Sequence, residues 1–309
     1  MKLRTEFTPE KFPFQLSHQD KLMLMGSCFS EHISDRLEYF RYDINRGAHG
    51  IVFHPEALAN SIHHIISKEA YLENDLIEFQ GRWNSLCHHG AFSGTNPEDV
   101  LWRANTALNE ARLFLKSASI LVITFGTAMG YFHKEKAQIV ANCHKLPQQD
   151  FERRLSDLHE LTSIWNATIK TLKAFNPSLK IIFTISPVRH LKEGFVENQR
   201  SKARLQLLCE EICNSENDSF YFPSYELMMD DLRDYRFYST DMIHPSELAV
   251  SYIQEKFFNA VLSEKSLDAC QKLIPVLQRF HHRSLHETSE MTAKRKAESE
   301  EQIRLILSH

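Results

Sequence analysis

The sequence predicts a three-layer α/β/α sandwich around a mainly parallel sheet, with a helical C-terminal extension. Three observations carry this. Continuous apolar runs at 21–26 (KLMLMG), 119–126 (SILVITFG) and 180–187 (KIIFTISP) read as strands buried on both faces. Segments with helical spacing follow them, so strands and helices alternate along the chain. Right-handed crossovers between parallel strands then place the helices in two layers.

Taken in order, the run at 21–26 ends in Gly26, and 29–40 has Ile33, Leu37 and Phe40 on one helical side. FRYDIN (40–45) is a second strand. Helices at 55–68 and 97–117 open with Pro55 and Pro97, where a missing N–H costs nothing. The strand at 119–126 precedes a long helix at about 150–174, closed by Asn176-Pro177. Residues 180–187 form the third strong strand, followed by helix at about 197–214. FYFPSYELM (220–228) carries Pro223 and reads as a strand entering a loop. Pro245 opens a helix to about 263. Residues 1–265 are thus one domain and 266–309 its helical extension. Within the extension, 286–302 has only Met291 and alanines as apolar content and reads as a solvated helix or a mobile segment, while the closing IRLILSH is apolar enough to dock.

Composition limits the function classes. Of 309 residues, 42% are hydrophobic and 25% charged, ordinary for a globular core. The balance of 36 Lys+Arg against 40 Asp+Glu leaves no electrostatic footprint for nucleic acid or an anionic membrane. There is neither a leader-like segment nor an apolar run of spanning length, so a cytoplasmic protein is expected. Six cysteines in a chain of this size read as reduced thiols, Cys209 and Cys213 as ordinary helix positions. Histidine is plentiful at 17, and glycine scarce at 9.

In doubly wound folds, sites form at the carboxyl ends of the strands. There stands Gly26-Ser27-Cys28-Phe29, a serine between a strand and a helix. The helix N-terminus offers unpaired N–H groups to a developing oxyanion, although a serine there is also a common helix cap. Downstream is Asp241-Met242-Ile243-His244-Pro245, where a carboxylate three residues before a histidine can fix its tautomer.

Serine after the first strand, with Asp-x-x-His before the last helix of the domain, resembles the SGNH hydrolases. The likeness sharpens in GSCF, Asn142-Cys143-His144-Lys145, Ile185-Ser186-Pro187-Val188-Arg189 and YFPSYELMMDDLRDYRFYSTDMIHPS (221–246). These look like the GSCFA-domain family, itself similar to SGNH hydrolases, over roughly residues 20–263. Ser30 stands where the family name has alanine. The resemblance implies the SGNH, flavodoxin-like sandwich, with Ser27 as nucleophile, His244 as general base and Asp241 as its orienter. It implies an oxyanion hole from the N–H groups of Ser27 and Gly50. Gly50 is taken from a block where the family has Phe-Gly-x-x-Tyr-Asn-Pro and this chain has His49 and His54. A typical SGNH enzyme has Gly-x-Asn-Asp after the third core strand. Here the stretch is Gly126-Thr127-Ala128-Met129, so Asn142 or Thr127 is expected to supply the side-chain donor.

Cys28, His89, Gly126, His144 and Arg189 are substrate-pocket candidates. Cys28 is also a rival nucleophile, and Lys145, Arg189 or Arg236 could hold an anionic group. A zinc reading draws on Cys87, His133 and Cys143-His144, with the pairs His63-His64, His88-His89 and His281-His282, but no closed ligand spacing supports it. No metal or cofactor is expected. The expected function is a serine esterase or O-acyltransferase acting through an acyl-enzyme on Ser27, on a small-molecule or carbohydrate ester. The alternatives are a non-catalytic ligand-binding module on the same scaffold and a metallohydrolase.

Overall fold

The structure, a computed structural model, describes residues 5–215, 218–282 and 288–308. The first half runs β1 (Lys21–Gly26), α1 (Cys28–Tyr39), β2 (Asp43–Asn45), α2 (Pro55–Ser67), β3 (Ile77–Phe79), β4 (Arg82–Asn84), α3 (Pro97–Ser117) and β5 (Ile120–Phe125). The second half runs β6 (Met129–His133), β7 (Gln138–Val140), β8 (Phe151–Leu155), α4 (Leu158–Phe175), β9 (Lys180–Ile185), α5 (Gly194–Ser215), β10 (Ser219–Phe222), the one-turn α6 (Ser224–Glu226), α7 (Glu247–Val261), α8 (Glu264–His281) and α9 (Ser289–Ser308).

Five strands form the central sheet in the order β10-β9-β5-β1-β2, every pair parallel. The two-residue period of the strands sorts the core. Met23, Met25, Leu121, Ile123, Phe125, Ile181 and Phe183 pack with the apolar stripes of α2 to α5. Leu22, Leu24, Ile120, Val122, Ile182 and Phe222 pack with α1, α7 and α8 on the other face. The expected three-layer α/β/α sandwich is what forms. Caps fix the helix starts: Ser27 on α1, Asn96 before Pro97 on α3, Asp157 on α4 and Ser246 on α7.

Two expectations need correction. The helix placed at about 150–174 begins only at Leu158, because Phe151–Leu155 is a strand paired antiparallel to β6. Arg and Glu in FERRL favour helix, but Phe151 turns inward and the ladder with β6 overrides that propensity. With β7 these strands make a three-stranded sheet inserted between β5 and α4. Second, Pro245 does not open α7. It lies ahead of the cap Ser246 and bridges to Tyr238.

The C-terminal helices pack on the α1/α7 face. Cys270, Leu273 and Leu277 of α8 and Ile303 of α9 are buried there, and Arg279 pairs with Glu298 across the two helices. So much of the segment expected to be solvated is helix, and the closing apolar stretch docks through Ile303; residues 283–287 lie outside the described residues. Among the described residues, no helix is long and apolar enough to cross a membrane.

Candidate active site

β1 is an inner strand, between β5 and β2, and the geometry of its carboxyl end depends on Gly26. This residue has φ +138°, and a Cβ there would stand 2.2 Å from Thr124 O. The chain can therefore pass close to β5 and turn at once into α1. Ser27 follows, 2% exposed. Its Oγ accepts from Phe29 N at 3.3 Å as the helix cap, and its N–H donates to Thr124 O at 3.1 Å. The latter bond extends the β1–β5 ladder by one residue, so the Ser27 N–H expected in the oxyanion hole is already engaged.

Across the strand ends lies the loop from Asp234 to Ser246. Asp241 Oδ2 accepts from His244 Nδ1 at 2.7 Å, and its Oδ1 accepts from the N–H groups of Ile243 at 2.9 Å and His244 at 3.0 Å. The His244 N–H and ring and the Ile243 N–H together hold the carboxyl at about 2. An ionised Asp241 on Nδ1 leaves His244 Nε2 with a free lone pair, as a base requires. The loop is braced. Ser239 N donates to His244 O, Ser246 N to Phe237 O, and Arg189 N to Ile243 O. Among the described residues, no hydrogen bond joins His244 to Ser27. The pair is half exposed, whereas Ser27 is buried.

The other expected donors fall on two sides. Gly50 has φ +70°, and a Cβ there would meet His89 Cβ at 2.9 Å, so His89 packs directly against it. Gly50 N makes no hydrogen bond among the described residues. Asn142 Oδ1 accepts from His144 N at 2.9 Å, while its Nδ2 reaches toward Gly90, next to His89. His144 Nε2 bonds Ser85 O at 2.7 Å, which holds that loop against β4. Asn142, His89, His144 and Gly50 thus form one cluster. Thr127 points elsewhere. Its Oγ1 bonds Ser201 Oγ at 2.8 Å and accepts from Met129 N at 3.0 Å, so the hydroxyl is used structurally. Gly126 admits Phe53, whose Cβ would lie 2.6 Å from a Cβ there. Cys28 is partly buried and its thiol is raised by that burial, which weakens it as a thiolate nucleophile. Arg189 stacks on Tyr238 at 4.0 Å, beside a 140 Å³ cavity also lined by Met228 and Tyr235.

Sequence reasoning missed two site neighbours. The His190 ring lies 5.6 Å from that of Phe53, and its buried Nε2 has no hydrogen-bond partner among the described residues. Lys202 is buried beneath the strand ends. The signal for Lys202 was present: Asn198, Ser201, Lys202 and Leu205 share the inward stripe of α5.

Several histidines outside the pair do structural work. His49 Nε2 bonds Tyr71 OH at 2.7 Å, Tyr71 OH bonds His64 Nδ1 at 3.0 Å, and His88 Nδ1 bonds Ser85 Oγ at 2.8 Å. Burial pushes His54 down to about 4 and His88 to about 3, and His49 well below its usual value. These rings stay neutral in the folded chain, while the unfolded chain binds protons below about pH 6.5. Stability is therefore expected to fall as pH drops from 6.5 toward 4, by about 1.4 kcal/mol per pH unit for each such ring. Urea midpoints at pH 7.5 and 5.5 measure it; equal midpoints would contradict the assignment. Among the described residues, no group of three or more His, Cys, Asp or Glu is placed to hold a metal.

Five parallel strands between two helical layers, with Ser27 after β1 and the Asp241–His244 pair on the loop before α7, define the class of the molecule: a doubly wound α/β/α protein. The chain belongs to the GSCFA family, whose family model matches residues 21–257. No curated protein matches it in sequence. Three solved structures are similar in outline. A candidate acylhydrolase from Bacteroides fragilis is 10% identical, with 80% of this chain and 89% of that one covered and a TM-score of 0.40. An acetylxylan esterase from Geobacillus stearothermophilus is 12% identical over 81% and 100%, with a TM-score of 0.37. An acetyl xylan esterase from Butyrivibrio proteoclasticus is 10% identical over 80% and 64%, with a TM-score of 0.39.

Proposed function

We propose that the protein is an SGNH-type serine ester hydrolase or O-acyltransferase. The observation that carries this is the Asp241–His244 pair at 2.7 Å on a braced loop, in a chain whose Ser27 follows β1 and caps α1. Ser27 Oγ attacks the acyl carbon while His244 Nε2 takes its proton. The alkoxide leaves with that proton from His244, and water or an acceptor alcohol then releases the acyl group from Ser27 by the same steps reversed. The oxyanion is held by Gly50 N–H, by the Cys28 N–H at the first position of α1, and by Asn142 Nδ2. His244 must approach Ser27 when substrate binds, since apo contacts of this kind are commonly long. Tyr235, largely exposed beside Arg189, offers a ring face for a sugar, so the substrate class is a small ester that includes O-acylated carbohydrates. The six unpaired thiols suit a reducing cytoplasm.

A second reading, a binding module on the same scaffold, is favoured by two observations: Ala128 occupies the position of the SGNH asparagine, and among the described residues no hydrogen bond joins Ser27 to His244. A fluorophosphonate probe separates the two. Labelling mapped to the peptide of Ser27, with turnover of aryl acetates or acetylated sugars, is expected of the enzyme. An unlabelled Ser27 in folded protein favours the binding module.

A further inference from the structure

Helix α5 places a lysine where a core residue is expected. Lys202 is 1% exposed. Its Nζ donates to Gly126 O and to Ser186 O, both at 2.6 Å. These carbonyls stand just beyond the carboxyl ends of β5 and β9, which are neighbours in the sheet. The adjacent residues of the same helix face hold the same loops: Ser201 Oγ accepts from Ala128 N at 2.7 Å, and Asn198 Oδ1 accepts from His190 N at 2.8 Å. Among the described residues, no carboxylate forms an ion pair with Lys202. The groups that face it are Cys28 from α1, His190 from the loop after β9 and the ring of Tyr225 from α6, 5.4 Å away.

Holding two carbonyls does not by itself require a charge, and a buried cation without a counter-ion is costly. Gly126 O and Ser186 O are points of negative partial charge at the same ends of the strands as Ser27, where an acyl oxyanion would form. A cation bonded to two of those oxygens reverses the sign of the local potential, and in a water-poor site this acts strongly. Cys28, the residue after Ser27, is within electrostatic reach of Lys202.

We infer that Lys202 is a positioning residue of the reaction: it fixes the ends of β5 and β9 and supplies the positive potential that Ala128, lacking a polar side chain, does not. This rests on the reading of Ser27 as nucleophile. Burial pushes Lys202 down to about 7. Facing it, Cys28 and Tyr225 are raised by burial and His190 is pushed down to about 3, so none brings a negative charge at neutral pH. The charge of Lys202 is then lost as pH rises through neutrality, and kcat/KM declines on the alkaline side.

The test is aryl acetate hydrolysis by wild type, Lys202→Met, Lys202→Gln and Ser27→Ala across pH 6–9. Both Lys202 variants are expected to lose about 10²-fold in kcat, with KM within about twofold and no alkaline decline. A folded Lys202→Met within about threefold of wild type overturns the inference. So does full recovery in Lys202→Gln, which keeps a donor but no charge. If neither variant folds, the wild type decides: a flat kcat/KM from pH 7 to 9 overturns it. Iodoacetamide alkylation of Cys28, read on its peptide in a Ser27→Ala background, separates the two claims. It is expected to slow when Lys202 becomes Met, because the thiolate loses its nearby cation, whether or not the protein hydrolyses esters. Turnover surviving in Ser27→Ala sinks the nucleophile assignment alone, while unchanged Cys28 alkylation in a folded Lys202→Met sinks the field of Lys202.

Discussion

Ser27→Ala is expected to lose about 10⁶-fold in kcat toward aryl acetates, to the level left by the oxyanion donors and binding alone. The same substitution removes the cap of α1, because Ser27 Oγ accepts from Phe29 N. Its stability should drop by about 1 kcal/mol, seen as a small fall in Tm. The two effects decide between roles. A serine that only caps the helix gives the stability loss with turnover intact; a nucleophile gives both. If Cys28→Ala is the inactive variant instead, the thiol is the nucleophile. The rise of the Cys28 thiol on burial argues against that outcome.

Asp241→Asn is expected to cost about 10⁴-fold in kcat with little change in KM. Asp241 accepts three hydrogen bonds from the residues just after it, two from backbone N–H and one from the His244 ring. An asparagine can keep the backbone bonds through its carbonyl oxygen, so the loop persists. Its amide, turned to Nδ1, then donates where the carboxylate accepted, and the proton moves to Nε2, the nitrogen that must receive the proton of Ser27. Intact thermal stability with collapsed kcat supports the orienting role. Equal kcat in the variant and wild type would remove Asp241 from the mechanism.

Much of the fold was legible because the core strands are continuous apolar runs. KLMLMG, SILVITFG and KIIFTISP were each placed within a residue or two, since strands covered on both faces leave no polar side to confuse the period. The β6–β8 insertion was not legible. Its strands are three to five residues long, and FERRL is held by pairing with β6 more than by its own preference. At the site, Asp241 and His244 were readable because their contact is local, three residues apart. Asn142, His144, His89 and Gly50 were each named, but their convergence depends on loops that meet through Gly90 and Ser85 and have no sequence period. Lys202 and His190 were passed over for a different reason. A lysine is read as surface by default, and only the carbonyls of two separated strands, Gly126 and Ser186, explain why this one is inside.

The Ser27 N–H bonded to Thr124 O has a consequence for how the molecule would respond to a ligand. That bond makes the serine the last rung of the central ladder, so it cannot be displaced without opening β1 from β5. Among the described residues, the half-exposed His244 is tied by hydrogen bonds to its own loop, which Arg189 holds in turn through Ile243 O and Met242 O. Under the proposed mechanism, adaptation to substrate then falls on one partner. The serine acts as an anvil, and the ordering entropy of each encounter is borne by a single short loop. Evolution could tune reach and selectivity by changing that loop while leaving the β1–β5 ladder untouched.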